Sequence, residues 1–62
     1  MNSTNIVSIL ETNVEALKIE RELLADDLAR SRTTVRQMLL DAKIAGINKQ
    51  IKHLEKRIED YE

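Results

Sequence analysis

The apolar residues of this chain recur at spacings of three and four from one end to the other, and almost nothing interrupts them. Val7, Leu10, Val14, Leu17, Leu24 and Leu28 form one such series, with Arg21 as its polar member. That spacing keeps all of them on one face of a 3.6-residue helix. There is no proline, and Gly46 is the one glycine among 62 residues, so little in the chain ends a helix. Aromatic residues are 2% of the chain. Alternating strands bounded by turn residues are missing as well, which excludes a sheet protein. The expected fold class is all-α.

The helical pattern pauses once, at Ser31, Arg32, Thr33 and Thr34. Thr34 followed three residues later by Gln37 reads as a capping box, with the threonine hydroxyl accepting from the Gln37 amide and the Gln37 side chain reaching back. The spacing predicts frayed residues 1–5, a helix over about 6–30, a turn at about 31–33 and a helix over about 34–62. Ser3, Thr4 and Asn5 are all acceptable caps for the first helix. Gly46 either ends or kinks the second helix, or lies within it at a cost of about 1 kcal/mol. Ile44, Ile47 and Ile51 keep their spacing across it, which favours continuity. The architecture is then a helical hairpin, and two hairpins would make a four-helix bundle.

A second apolar stripe is offset from the first. Val35, Met38, Ala42 and Ala45 continue the phase of the first series, whereas Leu40, Ile44, Ile47, Ile51, Leu54, Ile58 and Tyr61 run two residues out of step. Two residues is about 200° around a helix. Residues 35–47 are thus apolar on two sides, and beyond Ile47 only the second stripe continues. The sequence therefore assigns Ile44, Ile47, Ile51, Leu54, Ile58 and Tyr61 to an oligomer interface, on a C-terminal dimerisation helix. Ile6, Ile9, Ile19 and Leu23 flank the first series and are expected to widen its core-facing side.

Size strengthens the expectation of a partner. A chain of this length buries only about 60% of its unfolded surface, so its core is marginal without disulfides, a metal or a second chain. There are no cysteines, and His53 is the only histidine, so neither disulfides nor a metal site is expected. The lack of cysteine suits a reducing, cytoplasmic setting. No apolar run is long enough for a membrane span. No cofactor is expected, and neither is catalysis. Ser8 and Ser31 have no histidine at helical spacing. The acid pairs Asp26–Asp27 and Glu59–Asp60 are adjacent, so they diverge by about 100°. No glycine-rich phosphate loop is present.

One stretch resembles a functional motif. Leu24–Ala25, Leu28, the run Ser31-Arg32-Thr33-Thr34-Val35-Arg36, Leu39 and Gly46–Ile47 resemble the helix-turn-helix of GntR-type bacterial repressors, without a gap from Leu24 to Ile47. Ala29 stands where that family has a turn glycine, and no two-stranded wing follows Ile47. The resemblance implies a DNA-binding protein in which Arg32, Thr33, Thr34, Arg36 and Gln37 open a recognition helix facing a major groove.

Charge is distributed in the same sense. Residues 1–29 carry six acids against two bases, a net of −4, and residues 30–62 carry eight bases against five acids, a net of +3. Arg30, Arg32 and Arg36 lead the basic half, which suits a nucleic-acid partner. Asp26, four residues before Arg30, offers that arginine a helix-surface pair instead. Two functions remain open. One is a small dimeric helix-turn-helix regulator of phage or plasmid type, reading DNA through Arg30, Arg32, Thr33, Thr34, Arg36 and Gln37. The other is a helical-hairpin module that binds another protein or RNA without reading bases. The SRTTVR run favours the first. The pI near 5.8 and the continuity across Gly46 favour the second.

Overall fold

The computed structural model describes residues 3–62, with side chains from Asn5 onward. Two helices account for nearly all of them: α1, Ser3–Arg30, and α2, Thr34–Tyr61. Each has 28 residues. They lie side by side as an antiparallel hairpin, a rod measuring 48 × 14 × 13 Å. A helix-turn-helix would instead cross its helices at about 90–120°. α2 passes through Gly46 without a break. α1 is already helical at Ser3, ahead of the expected start at Ile6, while Met1 and Asn2 lie outside the described residues.

The turn is built from short polar contacts. The Ser31 amide donates to the Leu28 carbonyl at 3.1 Å and closes the last turn of α1. Thr33, extended at φ −111°, ψ 143°, is the cap of α2, and its hydroxyl accepts from the Arg36 amide at 3.3 Å. The cap thus sits one residue earlier than the Thr34 expected from the sequence. The reason is the backbone: Thr33 has the extended angles of a cap, whereas Thr34 is already helical, and with Arg36 three residues after Thr33 no capping box closes. Gln37 does reach back, but its side-chain amide donates to the Ser31 carbonyl at 3.1 Å, tying the first turn of α2 across the loop.

The core is a single seam. Leu10, Val14, Leu40, Ile47 and Ile51 are buried. Val14, Ile47 and Ile51 form its centre, with Leu17, Leu24, Leu54 and Ile58 packed against them. The stripe expected to await a second chain has its partner here: Ile47, Ile51, Leu54 and Ile58 pack on α1, Ile44 is half-buried, and Tyr61 is 43% exposed at the end. The three-residue turn leaves α2 no choice but to lie against α1, and the stripe with more branched side chains takes the contact. The residues in phase with the first series, Val35 and Met38, are instead exposed, Val35 at 70%. Ile9, Ile19 and Leu23 are exposed too, so they do not widen the core.

Arg21 interrupts the apolar series of α1 without breaking the seam. It is half-buried, and its guanidinium donates to the Asn48 side-chain oxygen at 2.7 Å. Its aliphatic stem follows the seam while its head leaves it. This bond joins α1 to α2 and pins their register.

Candidate functional site: the turn end and a groove along one side

The residues with a DNA-reading expectation gather at one end of the rod. Arg30 ends α1, Arg32 and Thr33 lie in the turn, and Thr34, Arg36 and Gln37 open α2. All six are exposed. They are not equivalent. Arg30 is bonded to Asp26, with Asp27 at 3.9 Å, so its charge is already matched on the surface of α1. Arg32 and Arg36 form no ion pair among the described residues. Thr33 and Gln37 are engaged in holding the turn. The end of the rod therefore offers two guanidinium groups without an ion pair, Arg32 in the turn and Arg36 in the first turn of α2.

A second feature runs along one broad side. Asn13, Ala16 and Leu17 of α1 and Gly46, Lys49, Gln50, His53 and Leu54 of α2 line an open groove of about 640 Å³. It continues toward the turn between Glu20, Leu24, Lys43 and Ile47, sharing Gly46 and Gln50. The groove is open because two of its lining residues, Ala16 on α1 and Gly46 on α2, have almost no side chain. Helix geometry places Ile9 and Leu23 two turns either side of Ala16, and Leu39 and His53 two turns either side of Gly46. Ile9, Leu23 and Leu39 are 57%, 64% and 60% exposed. This side is thus an apolar strip with a trough at its midpoint.

The opposite side differs. Glu11, Glu15, Lys18 and Glu55 rim a smaller cleft of about 300 Å³ over Val14 and Ile58. Among the described residues no group of three or more histidine, cysteine or acidic side chains could hold a metal ion. No described helix is long and apolar enough to cross a membrane.

The groove was not read from the sequence, although a signal for it was present. The single glycine sits inside a helix, where it costs stability relative to alanine. Its backbone does not require it, since no described residue has a left-handed conformation, and a Cβ there would meet nothing within 4 Å. No family model, curated protein or solved structure matches the chain.

Proposed function

We propose that the protein is a non-catalytic helical-hairpin interaction module that works as an assembly of hairpins. The observation that carries this reading is the row of Ile9, Leu23 and Leu39 left in water on one side of a hairpin with only five buried apolar residues among those described. Single exposed apolar residues are ordinary on any surface, but a continuous strip with polar rims marks an interaction site. A core this small is also marginal alone, and burying the strip would supply what it lacks. Sedimentation equilibrium and circular dichroism across nanomolar to micromolar concentration test it. The mass and the helix content are expected to rise together, and a fully helical monomer throughout would refute the reading.

One observation favours a second role, nucleic-acid contact at the turn end. Arg32 in the turn and Arg36 in the first turn of α2 are exposed and unmatched, within the run that resembles a repressor motif. Because α1 flanks α2 along its whole length, such contact would be made end-on, through the loop and the first turn of α2. Gel retardation in a salt series tests it. Arg32→Ala and Arg36→Ala should each weaken binding and flatten the dependence of log affinity on log salt by about one unit per lost phosphate contact. No retardation of wild type at low salt would remove this role and leave the first intact.

A further inference from the structure

We infer that the groove side receives a second copy of this chain, with α1 of each hairpin lying along α2 of the other and both turns at the same end. This rests on the assembly reading above and says where and how the copies meet. Three observations carry it.

The first is area. A rod of 48 × 14 Å presents a side of roughly 670 Å², so two such sides come to about 1,300 Å², within the range of stable interfaces. The second is self-complementarity, which a two-fold interface requires. Ile9, Ala16 and Leu23 on α1 and Leu39, Gly46 and His53 on α2 are spaced seven residues apart on both helices. With the turns level, the strip of α1 runs antiparallel along the strip of the second copy's α2 over the same stretch of the rod. The shallow centre lets the backbones approach where the strips cross. The unexplained glycine of α2 then has its reason outside the single chain.

The third is charge. α1 holds six acids and three bases, whereas α2 holds four acids and six bases. Glu20 of α1 and Lys43 of α2 rim the same stretch of the groove, and Asp27 and Arg36 lie seven residues from them toward the turn. With turns together, acidic α1 faces basic α2 at every one of these positions. With turns at opposite ends, α1 faces α1 and like charges meet.

The decisive variant is Gly46→Leu. Gly46 is exposed and a Cβ there meets nothing within 4 Å in the single hairpin, so helicity should persist in circular dichroism at high concentration while sedimentation equilibrium at 50 µM shows at least a tenfold weaker association than wild type. Leu39→Asp should act alike, and Lys52→Asp, off the groove, should not. Orientation is read by pulsed electron paramagnetic resonance on nitroxide-labelled Arg32→Cys, the label at the only cysteine in the chain. Turns together give a separation under about 25 Å for helices packed 8–10 Å apart, and opposed turns give a separation near the rod length of 48 Å. A wild type that stays monomeric overturns the assembly reading itself. Association that survives both Gly46→Leu and Leu39→Asp overturns the docking side alone, and a long label separation overturns the orientation.

Discussion

The two broad sides of this hairpin are made from the same helices and the same seam, and they differ by two residues of register. The residues immediately before Leu10, Leu17, Leu24, Leu40, Ile47 and Leu54 of the seam are Ile9, Ala16, Leu23, Leu39, Gly46 and His53. Those immediately after them are Glu11, Lys18, Ala25, Asp41, Asn48 and Glu55. The first set makes an apolar strip with a trough of about 640 Å³. The second makes a polar side with an acidic cleft and the Arg21–Asn48 bond. An antiparallel pair places equivalent flanks of its two helices on the same side. Identical bias on both helices is therefore not averaged out but added. The lesson is that a two-helix core spends only one stripe per helix, and the bias of what remains decides what the surface can do.

The largest expected effect destroys both sides together. Ile51→Asp places a carboxylate in the centre of the seam, 4% exposed in wild type. The desolvation cost of several kcal/mol exceeds what so small a domain holds in reserve. Circular dichroism at 25 °C should show the helices lost.

Next comes the variant pair that separates the sides. Leu23→Glu and Lys18→Glu both add negative charge to α1, one on the strip and one on the polar side. Thermal melts at several protein concentrations should lose their concentration dependence in Leu23→Glu and keep it in Lys18→Glu. Equal behaviour of the two would mean that the sides are not functionally distinct.

The polar side has its own role, which is to fix register. Removing either partner of the Arg21–Asn48 bond should cost about 1 kcal/mol, the ordinary worth of a hydrogen bond. A double-mutant cycle of Arg21→Ala and Asn48→Ala in urea should recover a coupling of similar size.

The smallest effect concerns the turn that makes the helices antiparallel. Thr33→Ala should destabilise by about 1 kcal/mol through the lost cap, and Thr34→Ala should cost only a few tenths, as a substitution that removes no cap. Urea midpoints of the two variants check the order, and a larger effect at Thr34 would restore the cap position expected from the sequence.

The sequence by itself determined the class of fold and where the chain turns. Freedom from proline, one glycine and the spacing of three and four are local properties, and local properties set helices. The pause at Ser31–Thr34 is likewise local, although its cap fell on Thr33 because hydrogen bonding at the first turn depends on backbone angles that residue types only bias. The sequence also displayed two apolar stripes on α2, but not which would face α1. That choice belonged to packing. Ile47 and Ile51 packed with Val14, Leu17 and Leu24 across the seam, and Val35, Met38 and Leu39 were left outside. Six candidate residues were gathered at the turn by chain proximity alone, and so were legible. The groove was not, because Ala16 and Gly46 lie thirty residues apart and mean nothing until an antiparallel pairing brings them to one groove. Periodicity places a residue on a face of its own helix, and only the neighbouring helix decides whether that face is buried, filled or left as a site.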